Sequence, residues 1–432
     1  MNRSALAART ALATVLILAS PVAFAQAAAA PAAAAPAASA ASAPAFAVRA
    51  EVGAALNQAI DLFRTGKAAE AKATLEKAQA TLQNLQPPEA TVMHRVRGLI
   101  EMQLEQYAAA VQSLQAALAA GAQSAADALQ CEEALARAQF SLKAYPAAAA
   151  AARKALAAGS KSVPVQAVLV RATYLQNDYA QTIRLLQEQQ QRDGKLGQED
   201  LRLLASAYGQ SKDEANYVRL AEQLLREYGR QEYWPDLLSR VQRQDGWQPR
   251  WDIDVYRLRL RLAMMDEADD YLVLAELAAK AGLPAEAQTV LEAGFASGRL
   301  GKGAGAPQQE RLRASVGKQA ADDRQSLLAA ATRPPSIGDA RAAANTFNTG
   351  AALVSIGQFE PGLVLMKAAL GGPLPDLAQA RLEYGQALAA AGKASEAIAA
   401  LQAVTEPPQL ALLARLWALA LTVPGKPAQK GG

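Results

Sequence analysis

The sequence predicts an all-α fold built as a repeating stack of helical hairpins. Three observations carry that reading. Hydrophobic residues make up 51% of the 432 residues but aromatics only 5%. Alanine therefore supplies much of the apolar count, and alanine is the best helix former and a poor strand former. From Val48 onward, apolar residues recur at three- and four-residue spacing, with breaks at Gly, Pro and Asn. One pattern is also rewritten along the chain: TGKAAEAKATLEKA at 65–78, AGLPAEAQTVLEAG at 281–294 and AGKASEAIAALQAV at 391–404. Each copy places Gly five residues before a small residue (Ala71, Ala287, Ala397) and Leu four residues after it.

Taken in chain order, the first element is an export signal. Arg3 and Arg9 form a positive region, Thr10 to Ala19 is a short apolar run, and Ala23-Phe24-Ala25 has the form of a cleavage site. Residues 1–25 are thus expected to be a signal peptide, with the mature chain starting at Gln26 and the protein in the periplasm. The run is too short to span a bilayer, and no later stretch of the needed length lacks charges and prolines. Cys131 is the sole cysteine, so no lipid-bearing cysteine follows the cleavage site. Residues 26–47 are almost only Ala, Pro and Ser and read as a disordered tether.

An internal register of units about 34 to 40 residues long follows. Its anchors are Ala71, Ala110, Ala148, Thr182, Tyr217, Ala287, Gly362 and Ala397. Four residues after them come Leu75, Leu114, Ala152, Leu186, Ala221, Leu291, Met366 and Leu401. Three residues before most anchors sits a residue that can pack the turn: Tyr107, Tyr145, Tyr179, Pro284 or Phe359. Upstream, a small residue faces the partner helix: Ala59, Gly98, Ala136, Ala205, Ala275, Gly350 and Gly385.

This layout resembles the tetratricopeptide repeat over most of residues 54–404. The resemblance implies a right-handed superhelical solenoid in which neighbouring helix–turn–helix units bury one another's apolar stripes. Tyr217 departs from it, being bulky where a small residue belongs. So does the spacing at 225–268 and 299–343, read as irregular or degenerate helical segments. The expected division is an array at 48–224, a single unit at 269–298, a pair at 344–404, and a capping helix with a disordered tail at 405–432. Tyr256 to Leu262, YRLRLRL, alternates like a strand, but Leu258, Leu262 and Met265 share a helical face, and a helix is expected.

Little in the chain can carry catalysis, and no enzyme, cofactor or metal site is expected. The net charge of +4 is too dilute for a nucleic-acid face. One His and one Cys exclude a Cys/His zinc site. His94 reads as a surface histidine, and Cys131, beside Glu132 and Glu133, as an unreactive thiol. Gly301 to Gly305 lacks the strand and the Lys-Ser/Thr ending of a phosphate loop. Asp266, Glu267, Asp269 and Asp270 lack the spacing of a calcium loop and suit a helix N-terminus.

The tetratricopeptide resemblance implies an inner groove lined by first-helix positions. Carried onto this chain, these are Arg95, Leu99 and Met102, then Glu133, Arg137 and Phe140, then Arg171 and Tyr174, and Arg202. Arginine forks suit carboxylates, and aromatics give flat apolar anchors. The expected partner is a protein or peptide with an acidic or C-terminal segment, and the expected role a periplasmic interaction scaffold. A self-satisfied face, with Glu133 pairing Arg137 at i, i+4, is the plain alternative. Tyr233-Trp234 with Leu237-Leu238, and Tyr271 to Gly298, are similar to periplasmic tetratricopeptide proteins found alongside TonB-type systems. That similarity implies an accessory role in coupling inner-membrane energy to uptake. A second reading gives the Trp-rich middle, with Trp247 to Trp251 (WQPRW), to cell-wall or carbohydrate binding.

Overall fold

The computed structural model describes residues 48–423 except 83, 122, 123 and 333. The expected signal peptide, tether and final tail (424–432) lie outside the described residues. Among the described residues there are twenty α-helices and no strand. Two compact units divide the chain after Glu188.

Unit 1 holds α1 (Ala50–Arg64), α2 (Ala68–Thr81), α3 (Pro87–Gln103), α4 (Tyr107–Ala120), α5 (Ala125–Ser141), α6 (Tyr145–Ala157), α7 (Val163–Leu175) and most of α8 (Tyr179–Asp193). Unit 2 continues with α9 (Gln198–Gln210), α10 (Glu214–Tyr228), α11 (Trp234–Gln242), α12 (Asp252–Arg261), α13 (Ala268–Lys280) and α14 (Pro284–Ala296). It ends with α15 (Ala306–Ala330), α16 (Ala340–Ser355), α17 (Phe359–Ala369), α18 (Leu377–Ala390), α19 (Ala394–Gln402) and α20 (Pro408–Thr422).

Eight helical hairpins share one turn. The residue five before each anchor is left-handed: Gly66, Glu105, Lys143, Asn177, Lys212, Gly282, Gly357 and Gly392. The next N–H reaches back five residues to a helix carbonyl, as Gln106 does to Glu101 and Leu283 to Ala278. This is the 6→1 bond of a Schellman cap, which closes the first helix and aims the second back along it. Four of these turns use Gly, which adopts the conformation freely.

The crossing above each turn is equally regular. A small first-helix residue lies sixteen positions before the larger second-helix residue in Ala59/Leu75, Gly98/Leu114, Gly350/Met366 and Gly385/Leu401, and all of these are buried. A Cβ built at Gly98 would lie 2.7 Å from Leu114 Cγ, and one at Gly385 2.6 Å from Leu401 Cγ. At Gly350 it would lie 2.7 Å from the Gly362 carbonyl oxygen. The helices thus approach as closely as their backbones allow, which buries side chains of modest size efficiently.

Tyr217 does not break the fifth hairpin. Gly209 gives it room, with a built Cβ there 3.2 Å from the Tyr217 ring, and the Arg240 guanidinium lies 4.0 Å above that ring. YRLRLRL is helical within α12 and its C-cap. Glu267 and Asp270 form a capping box at the start of α13, and Arg259 pairs with Asp270 at 2.7 Å. The segment 299–343 contains the 25-residue helix α15.

The C-terminal helix does more than cap α19. Ten of the fifteen residues of α20 are buried, on all its sides. One neighbour cannot cover such a helix. It packs on α18 and α19 and also on α10, α11 and α12, over 140 residues upstream. Trp417 Nε1 donates to the Asp254 carbonyl at 3.0 Å, and Arg415 pairs with Glu222 at 3.2 Å. Unit 2 therefore closes on itself around a core containing Trp234, Trp251 and Trp417.

Candidate functional site

Within unit 1 the first helices α3, α5 and α7 lie side by side. Leu99 is buried, and Met102 and Phe140 pack half-buried on the same apolar cluster. Phe140 meets Tyr145 with ring centroids 5.7 Å apart, and Tyr174 meets Tyr179 edge-on at 5.4 Å. These pairs repeat at successive hairpin turns because the turn-packing residue follows the last turn of each first helix by five positions. Leu142 and Leu175, 44% and 45% exposed, continue this apolar edge into solvent.

The charged residues separate into braces and unpaired cations. Arg95 is a brace: its Nη1 lies 2.9 Å from both Asp127 Oδ1 and Gln130 Oε1, tying α3 to α5. Glu133 accepts the Ser160 hydroxyl. The i, i+4 pairing of Glu133 with Arg137 does not form as an ion pair. Arg137 is half-buried and its buried Nε has no hydrogen-bond partner. Burial pulls its guanidinium below the ordinary arginine value, against the opposing pull of Glu133. Arg171 is exposed, and among the described residues it enters no ion pair.

Arg202 belongs to unit 2, and the other eight positions belong to unit 1. It pairs with Glu199 at 3.2 Å, and that bond, the larger cause, and one with Tyr233 raise its guanidinium above the usual value.

The remaining sites offer no reactive group. Cys131 is fully buried, and burial first, then Asp127 and Glu132, pushes its thiol up to about 11, with Arg95 opposing. Burial, more than the neighbouring carboxylates expected from sequence, sets this thiol. His94 is half-buried rather than a surface residue, and burial, then Arg97, lowers its pKa. Trp234 and Trp251 are 1% and 2% exposed, so neither presents a face to a sugar. Trp247 stands edge-on to Trp251 at 5.4 Å and donates to Asp252 at 2.9 Å. No cluster of three or more His, Cys, Asp or Glu fit to hold a metal occurs among the described residues. No described helix is long and apolar enough to cross a membrane.

The sequence left one charged group unnoticed. In unit 2, Arg257 of α12 donates from Nε and Nη2 to both oxygens of Glu286, each at 2.7 Å. Its Nη1 reaches Asp254 at 3.1 Å and Gln386 of α18 at 3.3 Å. The i, i+3 spacing of Asp254 and Arg257 was the available signal, but nothing local marks it as buried.

No protein-family model matches the chain, and no curated protein matches it. Solved structures do. A type IV pilus biogenesis factor, PilW, is 16% identical, over 42% of this chain and 96% of its own, with a TM-score of 0.28. Naa15/Naa10 bound to HypK is 12% identical over 83% of this chain and 64% of that one, with a TM-score of 0.37. The TPR2AB-domain complex of yeast Sti1 with pHSP90 is 12% identical over 86% of this chain and 98% of that one, with a TM-score of 0.26.

Proposed function

We propose that this chain is a non-catalytic interaction scaffold of the bacterial periplasm, which holds a protein partner on the α3/α5/α7 face of unit 1. Arg137 carries the proposal. Its guanidinium is half-buried, enters no ion pair among the described residues and leaves a buried Nε without a hydrogen-bond partner, on the same helix as Phe140, so it lacks an acceptor. Arg171, one helix further on, supplies a second positive group, and Met102, Phe140 and Tyr174 supply apolar contact. A carboxylate-bearing extended segment, acidic or C-terminal, has the matching chemistry. The export signal of residues 1–25 supports the location. The likeness of 271–298 to proteins that accompany TonB-type systems suggests envelope energy coupling as the setting.

The test is affinity for peptides ending in an acidic, free C-terminal segment, measured by fluorescence anisotropy. Each charge-assisted bond lost contributes about 1.5–3 kcal/mol. Arg137→Ala with Arg171→Ala removes two such bonds and should therefore weaken binding by about a hundredfold or more. Unchanged affinity in a folded double variant refutes the groove assignment.

A further inference from the structure

The closure of unit 2 runs through a group of charges in which Asp254 is buried and Arg257, Glu286 and Glu383 are half-buried. Arg257 is the one cation in it, and Asp254, Glu286 and Glu383 surround it. Glu286 takes two of the three donating nitrogens of Arg257 in a fork. Asp254 is 0% exposed, receives one bond at 3.1 Å from Arg257, and leaves Oδ2 without a hydrogen-bond partner. Glu383 stands one turn before Gln386 on α18, the helix Arg257 reaches at 3.3 Å, so the charges of Asp254 and Arg257 act on it, and Gln379 donates to it at 2.9 Å. With all three carboxyls ionised, the group carries two uncompensated negative charges across the contact of α12 with α18. Buried charge of that kind is resolved by taking up a proton.

Among the described residues, no cation but Arg257 acts on Asp254 and Glu383. From α14 the group meets Glu286, and from α18 Glu383, Gln379 and Gln386. From α20 it meets Trp417, which bonds the Asp254 carbonyl. Asp270 of α13 is engaged by Arg259, and Arg415 of α20 by Glu222. At the edge of the same contact, Arg250 bonds Asp376 at 2.7 Å.

We infer that the contact of α12 with α18 and α20 is a proton-linked latch, which closes unit 2 with one carboxylic acid of the Asp254–Glu383 pair protonated and loosens as that proton leaves. The protonated acid removes one of the negative charges that a single guanidinium, forked onto Glu286, leaves uncompensated at Asp254 Oδ2. Burial, then the negative charge of Asp254, raises Glu383 from 4.5 to about 7, and burial raises Asp254 as well. In the open state each returns toward its ordinary value. A group whose pKa is raised on closing favours closure at low pH, and that advantage is lost as pH rises through the closed-state value. For one carboxyl moving from 4.5 to about 7, the opening equilibrium grows about 25-fold between pH 5.5 and pH 8.

Hydrogen–deuterium exchange of the full chain, corrected for the intrinsic pH dependence of exchange, tests this. Protection of α12, α18 and α20 should fall about 25-fold from pH 5.5 to pH 8, while α3 and α5 hold steady. Glu383→Gln, which mimics the neutral acid, should flatten the difference. Equal protection of these helices at both pH values in the wild type overturns the latch. So does a full pH effect that persists in both Glu383→Gln and Asp254→Asn.

Discussion

The close crossings make a prediction in which two physical effects have opposite signs. Gly350 sits in the interior of α16, where replacing Gly by Ala ordinarily stabilises a helix by about 1 kcal/mol. Here the added Cβ would stand 2.7 Å from the Gly362 carbonyl oxygen, 2.7 Å from Met366 Cγ and 2.9 Å from the Met366 amide nitrogen. Each is at least about 0.5 Å inside ordinary contact, and two of the three are backbone atoms that cannot rotate away. Helices α16 and α17 must separate, at a cost of about 1–3 kcal/mol and sometimes more. Two backbone clashes put the cost in the upper part of that range, about 2–3 kcal/mol, so with the propensity gain subtracted Gly350→Ala should destabilise by about 1–2 kcal/mol. Gly317, in the same unit on α15, is the control. A Cβ there meets nothing nearer than Gln288 Nε2 at 3.6 Å, so Gly317→Ala should stabilise by about 1 kcal/mol. All four tryptophans, at 234, 247, 251 and 417, belong to unit 2. Urea unfolding followed by tryptophan fluorescence therefore reports on the unit that holds both substitutions. Gly350→Ala melting at the same or a higher urea concentration than wild type would refute the backbone-limited crossing.

Two further outcomes follow from the same geometry. Lys143 holds φ 61 at the turn between α5 and α6, a conformation that costs a residue with a Cβ about 1–2 kcal/mol. Lys143→Gly should stabilise unit 1 by about 0.5–1 kcal/mol after the entropy of glycine is counted, and Asn177→Gly by less because asparagine tolerates φ 61 better; thermal melts compare the two. Cys131, enclosed and with its thiol pushed up to about 11, should resist maleimide at pH 7.5 in the folded chain and react fully in denaturant, as followed by mass shift.

The helices and their crossings were legible because the repeat is written in residue size. Ala71, Ala110, Ala148, Ala287 and Ala397 are all fully buried, each four residues before a buried Leu or Ala. The turns were legible only where glycine marks them. Asn177 is a weaker sign of the same turn, and Glu105, Lys143 and Lys212 adopt the left-handed conformation without any compositional sign, since the rest of the hairpin imposes it. Tyr217 looked like a fault because its compensation, Gly209 and Arg240, comes from two different helices. The closure of unit 2 was not legible at all. Periodicity reports which face of α20 is apolar, and here every face is, but it does not say that α10 to α12 cover the far side. The proposed partner face was half legible. Register placed Arg137, Phe140, Arg171 and Tyr174 on adjacent first helices. Only coordinates separate Arg95, whose Nη1 is engaged by Asp127, and Glu133, engaged by Ser160, from Arg137, which enters no ion pair among the described residues.

The central claim is that a partner segment lies on the first helices of unit 1. Its most direct test is a hydrogen-exchange footprint of the full chain with and without a bound acidic C-terminal peptide. Added protection should appear in residues 125–141 and 163–175, with a smaller effect in 87–103 and none across 252–422. Protection confined to 252–422, with 125–175 unchanged, would contradict the account.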